Sequence, residues 1–189
     1  MKSIIFSSDC PQSTQLLIPN GVLSVYFGDN FDLSIENVIP SSVQEITFGN
    51  NYDQPIIDCM APGIIGPIKP PFLPPNINIL LFGKKFDQPI TGGIGEKVLF
   101  LKFGKMFDQC VDGSLPVDLR FLIFGARFNQ QINLLNLINL RKLALGESFD
   151  QVIYGCIPPT LESILIPKTS KIKLSDIPKE VEINYLYDK

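Results

Sequence analysis

Apolar residues fall along this chain in columns rather than in stretches, and the columns repeat. With a glycine as origin, the unit returns at Gly28, Gly49, Gly83, Gly104, Gly125 and Gly146, at intervals of 21, 34, 21, 21 and 21 residues. The odd interval carries 34 − 21 = 13 additional residues. Six positions before the glycine stand Val22, Val43, Ile77, Val98, Leu119 and Leu140, and three before it Val25, Ile46, Leu80, Leu101, Leu122 and Leu143. Directly before it come Phe27, Phe48, Phe82, Phe103, Phe124 and Leu145. Three after it an aromatic recurs at Phe31, Tyr52, Phe86, Phe107, Phe128 and Phe149, and seven after it Ile35, Ile56, Ile90, Val111, Ile132 and Ile153. Four identical intervals out of five mark the chain as a tandem array, the arrangement to be sought before any single element.

The apolar offsets −6, −3 and −1 match the L-x-x-L-x-L spacing of leucine-rich repeats. Residues at −3 and −1 alternate with outward neighbours, as on a short strand with one buried face. Glycine follows where a side chain would obstruct the turn. Most coils open with an apolar-proline pair (Ile18-Pro19, Ile39-Pro40, Leu73-Pro74, Leu115-Pro116), and prolines at this density disfavour regular helices on the far side. The pattern predicts a mainly β fold. It is a leucine-rich-repeat-like solenoid of about nine coils of 21 residues, with one parallel sheet, extended or turn segments opposite it, and few helices. At about 4.8 Å per strand such a rod is on the order of 40 Å long. Residues 1–189 are expected to form a single repeat domain, with an N-terminal cap over 1–20, core coils over 21–160 and a C-terminal cap over 161–189. In the last segment Leu161, Ile164 and Ile166 keep the columns while Pro167 stands in place of glycine. The insertion falls within Ile57 to Pro75 and holds six prolines. It suits either a stiff polyproline-like arm or an excursion tolerated by one coil.

The motif Phe-Gly-x-x-Phe-Asp-Gln-Pro-Ile, best formed at Phe48 to Ile56 (with Tyr52) and Phe82 to Ile90 and followed by Ile-Pro, resembles the FNIP repeat. That family is related to leucine-rich repeats and is abundant in social amoebae and in giant viruses that infect amoebae. The resemblance implies recognition rather than chemistry. Viral members often join such repeats to an F-box, which would make them substrate receptors of a ubiquitin ligase. No F-box is expected here, because the residues before the first full coil already read as a cap.

Composition narrows the chemistry. The chain has no histidine, which removes imidazole bases, Ser-His and Cys-His nucleophile pairs and His-bearing zinc sites. No enzyme activity and no cofactor are expected. A net charge of −3 argues against a nucleic-acid partner held through phosphates. No stretch has the length or apolarity of a membrane span or a secretory leader. The expected location is intracellular: host cytoplasm, or a virion if the chain is viral. The column Asp32, Asp53, Asp87, Asp108, Asn129, Asp150 could in principle hold calcium, but Asn129 fits a hydrogen-bonding scaffold equally well, and no metal site is expected. The adjacent Gln54, Gln88, Gln109, Gln130 and Gln151 are expected to stack as an amide ladder. Cys10, Cys59, Cys110 and Cys156 fall too far apart in the coil register to pair, so four free thiols are expected.

Outward strand positions are the ones packing does not dictate. In the middle coils they bring Ile79, Leu81, Phe100, Phe121 and Ile123 side by side, bordered by Lys102, Arg120 and Lys142. An apolar patch with a charged rim is the expected signature of a protein-binding surface. The function expected is therefore a non-catalytic interaction or scaffold module, binding a protein partner or itself through the exposed sheet face. The alternatives are a structural subunit of a virion or other assembly, or the substrate-recognition part of a ubiquitin ligase whose F-box lies on another segment.

Overall fold

The computed structural model describes residues 2–8, 16–57, 72–168 and 170–186. Nine short strands form one sheet in chain order: β1 (Ser3–Phe6), β2 (Ser24–Phe27), β3 (Glu45–Thr47), β4 (Ile79–Leu81), β5 (Phe100–Lys102), β6 (Phe121–Ile123), β7 (Lys142–Ala144), β8 (Ser163–Pro167) and β9 (Glu182–Leu186). Every pairing is parallel, and the register carries each repeat column onto itself, as in Ile79↔Phe100 and Phe100↔Phe121. The chain is a β-solenoid of about eight turns, and its only helix among the described residues is a 3-10 turn at Leu174–Asp176. No helix of the described residues is long and apolar enough to cross a membrane.

Five inward columns build the core. The residues at −6, −3, −1, +3 and +7 are buried from the first full coil to Ile153. Two of these columns are aromatic and stack along the solenoid. Rings before the glycine lie 5.3–5.7 Å apart from Phe6 to Phe124, and rings after it 6.0–6.2 Å apart from Phe31 to Phe149. Within a coil the two rings face each other at 3.7–4.2 Å. Stacked rings combine large buried area with a fixed mutual geometry, so each coil presents the next with a matching surface.

The repeat glycine is required by proximity. A β-carbon at Gly104 would lie 1.7 Å from the Gly83 carbonyl oxygen, and one at Gly125 would lie 1.8 Å from that of Gly104. The obstruction foreseen at this turn is therefore the backbone of the preceding coil. A second column nine positions after the glycine holds the left-handed turn opposite the sheet, with φ of 57° at Asn37, 75° at Gly92, 67° at Gly113 and 69° at Gly155.

The insertion enters at that same turn. In regular coils the +10 amide donates to the +7 carbonyl across two residues, as from Val38 N to Ile35 O (3.1 Å) and Gly93 N to Ile90 O (2.8 Å). In the second coil the equivalent bond runs from Phe72 N to Ile56 O at 3.1 Å. Residues 57–71, fifteen in number, thus replace two, and 15 − 2 = 13 accounts for the whole insertion. The stem closes as in the coils on either side of it, and the columns resume undisturbed. The question of arm or excursion falls on residues 58–71, which lie outside the described residues. So do Cys10 and Cys59, while Cys110 and Cys156 are free thiols.

Tyr52 occupies the +3 aromatic column fully buried, and its hydroxyl has no hydrogen-bond partner. Burial, with the Asp32 and Asp53 carboxylates close by, pushes that hydroxyl's pKa far above the ordinary phenol range. An orphaned buried hydroxyl costs stability that its apolar isostere does not. Tyr52→Phe should accordingly raise stability by about 1 kcal/mol, read as a higher urea midpoint at unchanged slope. Gly104→Ala should cost more than about 3 kcal/mol, since only backbone can move out of the way. Gly95→Ala places its β-carbon no nearer than 4.0 Å from Pro75 and is the neutral control, within about 0.5 kcal/mol of the parent.

Candidate functional site

The outward columns at −4 and −2 lie on the open face of the sheet. Ile79, Phe100, Phe121 and Lys142 are register partners along one row, and Leu81, Lys102, Ile123 and Ala144 along the next. The structure therefore brings together seven of the eight residues singled out by pattern, with Arg120 immediately before β6. Ile79 is 37% exposed, and Leu81, Phe100, Phe121 and Ile123 are half-buried against their neighbours. The Phe100 and Phe121 rings stack at 5.5 Å with an interplanar angle of 28°. Lys102, Arg120 and Lys142 are exposed. A shallow depression of about 360 Å³ runs from Phe100 and Phe121 past Ile123 and Ala144 to Leu165. Leu165 extends the apolar row beyond the residues expected. It sits two before Pro167, the same offset as Ile123, and was readable once Pro167 is counted as a glycine position.

The −4 row of this face is polar at both ends, whereas the −2 row begins at the exposed Ile5 and runs on to Leu165. In the early coils the Tyr26 hydroxyl donates to Glu45 Oε2 at 2.9 Å, and that hydrogen bond holds the phenol pKa above its ordinary value. In the late coils Arg141 pairs with Glu162 at 2.8 Å. In the −4 row the apolar segment from Ile79 to Phe121 thus lies between self-satisfied polar pairs.

Other large apolar side chains are more exposed than these. Val152 is 74% and Tyr154 73% exposed on the far side of the solenoid, near Leu135 and Ile138 in sequence. They occupy different columns in the repeat (+6, +8, +10 and −8), so register does not stack them into one row. Scattered exposed apolar residues are ordinary, whereas a registered row of them is not.

The acidic column is scaffold. Asp32 Oδ1 accepts from the Asp53 amide (2.9 Å), Asp53 Oδ1 from that of Asp87 (2.9 Å), Asp87 Oδ1 from that of Asp108 (2.9 Å), Asp108 Oδ1 from that of Asn129 (2.8 Å) and Asn129 Oδ1 from that of Asp150 (2.9 Å). The glutamines do not form the amide ladder expected of them. Gln88, Gln109 and Gln151 each donate Nε2 to the carboxylate or amide oxygen of the preceding coil, at 2.9–3.0 Å, because an Asp or Asn oxygen already turned inward is the nearer acceptor. At the last coil Lys171, 21 positions after Asp150, takes the column position itself and pairs with Asp150 Oδ2. No group of three or more potential metal ligands occurs among the described residues.

The model of the FNIP repeat matches residues 14–51 and 35–62. Among solved structures, the chain is similar to CroV588, a giant-virus protein whose structure is described as that of a novel circular LRR protein. The TM-score is 0.69 at 28% identity, over 89% of this chain and 27% of that one. The chain therefore spans about a quarter of the length of the structure it matches. No curated protein matches it.

Replacing Asp87 by Asn should leave stability within about 0.5 kcal/mol, because Asn129 already fills the same role with the same geometry. Asp87→Ala orphans the Asp108 amide and the Gln109 side chain and should cost about 1–3 kcal/mol. Thermal melts of both variants, with and without added calcium, check this; a calcium-dependent rise in the parent would assign the column to metal instead.

Proposed function

We propose that this chain, an FNIP, leucine-rich-repeat-like repeat protein, is a non-catalytic interaction module that engages a protein through the outward face of its sheet. One observation carries the reading. Five apolar side chains, Ile79, Leu81, Phe100, Phe121 and Ile123, are held in register on a face that nothing else in the described chain covers. Each inward column is dictated by the core and each acidic position by the backbone it caps. The −4 and −2 columns answer to neither constraint, yet the −4 column is apolar only in the middle coils. Lys102, Arg120 and Lys142 supply the polar rim expected around such a centre. Repeat proteins of this type generally serve as scaffolds for recognition, and the absence of histidine is in keeping with that role.

A second reading, a structural subunit of an assembly, is favoured by one observation. The similar giant-virus protein is described as circular, and among the described residues β1 and β9 are edge strands that another strand could extend. The two readings separate on stoichiometry. An interaction module should be monomeric in light scattering and take up a partner, whereas an assembly subunit should oligomerise by itself.

Phe100→Asp with Phe121→Asp alters half-buried positions of the open face, outside the core columns, and should leave the far-UV spectrum near that of the parent. It should abolish capture of a specific partner from the native cell. Retention of that partner, or of self-association, by the double variant would remove the sheet face from the account.

A further inference from the structure

Charge on this molecule is segregated in a way its net value conceals. The three central strands with their following turns, residues 78–86, 99–107 and 120–128, contain no carboxylate. They hold six cations, Lys84, Lys85, Lys102, Lys105, Arg120 and Arg127, in a chain whose net charge is −3. All six are exposed, and none makes an ion pair or a side-chain hydrogen bond among the described residues. Lys102 stands within the apolar face, Arg120 at the start of β6, and the other four one or two positions past the repeat glycines, where the chain leaves the sheet. On the sheet face the Glu45 and Glu162 carboxylates are engaged by Tyr26 and Arg141, and in the column after the glycine Asp29 and Glu147 flank the cationic coils without an ion pair to any of the six. The central coils therefore present a row of apolar side chains with unpaired positive charge along one rim.

We propose that the partner of this face is an acidic protein segment whose carboxylates alternate with large apolar side chains. This rests on the reading of the sheet face as the binding surface and gives its occupant a chemistry. Apolar side chains would lie on Ile79, Phe100, Phe121 and Ile123, and the carboxylates would meet the lysines and arginines at the C-terminal ends of the strands. Like charges stacked in adjacent coils repel, and an acidic partner removes that repulsion as it binds. Such pairing raises association rate and selectivity more than affinity, and it weakens with salt. A nucleic acid would use the same cations but has less use for Ile79, Leu81 and Ile123, which offer no stacking surface, while Phe100 and Phe121 already stack on each other.

The test is selection from a random peptide library displayed on phage, against the parent, against Lys84→Glu/Lys105→Glu/Arg127→Glu, and against Phe100→Asp/Phe121→Asp. Circular dichroism first confirms that each variant is folded. Peptides selected on the parent should be rich in Asp and Glu interspersed with Leu, Phe or Trp. They should weaken about tenfold or more in high salt and on each variant. Selection of neutral or basic peptides, of none, or of peptides indifferent to the charge reversal overturns the proposal. So does tighter binding of a single-stranded oligonucleotide than of any selected peptide. The two readings fail separately. Peptides that need Phe100 and Phe121 but not the cations would overturn the acidic partner and keep the sheet face. Acidic peptides that need the cations but not those rings would keep the acidic preference and remove the apolar face.

Discussion

At the repeat glycine the backbone of one coil rests on the carbonyl of the coil before it, with no space for a β-carbon between them. This contact sets the spacing from which the other contacts in the molecule take their geometry. With the backbones so close, the rings on either side of the glycine fall into stacking distance, 5.3–5.7 Å before it and 6.0–6.2 Å after it. The same spacing brings each Asp oxygen within 2.8–2.9 Å of the next coil's amide. Stability in such an array is close to a sum of nearest-neighbour terms, so an error at one glycine is felt as the loss of a whole interface. Ring spacing is also wider in the column farther from the strands.

A tightly stacked solenoid must also satisfy the polar groups it brings together. From Asp32 to Asn129 each column side chain accepts from the backbone of the following coil, and several accept from a glutamine as well, so the turn after the aromatic is anchored without any helix or cap. A column of acceptors needs a donor at its end, and Lys171 fills that place in the last coil, where the repeat would otherwise put another carboxylate. Pro167, in the position of the missing glycine, belongs to strands lengthened from three residues to five, β8 and β9. The repeat thus changes in two columns, at Pro167 and Lys171, within one coil.

Most of this architecture was legible in the sequence because its constraints recur. An offset that is apolar six times running admits one explanation, and Phe31, Tyr52 and Phe86 are buried together for the same reason that they align. What escaped was set by direction rather than by type. The glutamines shared a column and so invited a like-with-like ladder, but a primary amide donates to the best acceptor in reach, and the inward-turned Asp or Asn oxygens were better placed. The left-handed column of Asn37, Gly92, Gly113 and Gly155 stood in plain register, yet it contributes nothing to the core and leaves no trace in an apolar pattern. Leu165 was hidden by the loss of its glycine. The outward face was the least legible, since no recurring constraint acts there, and the sequence offered only a local run of apolar residues to mark it.

That difference is what gives the open positions their meaning. A repeat whose inward residues are fixed by stacking and whose polar column is fixed by hydrogen bonds has two places left in which to vary. One is the tip of the far turn, where the second coil takes up thirteen extra residues while closing its stem with the same backbone bond as its neighbours. The other is the outward face, where Ser24, Tyr26, Glu45 and Thr47 give way to Ile79, Leu81, Phe100 and Phe121 and then to Lys142 and Ser163. The core would be equally well served by serine or threonine at all of these positions, and water would favour them. The change to apolar residues in the −4 column of three successive coils, together with the absence of carboxylates from their strands and the turns as far as the aromatic, has no cause in the solenoid's own packing. A surface partner with complementary features supplies one.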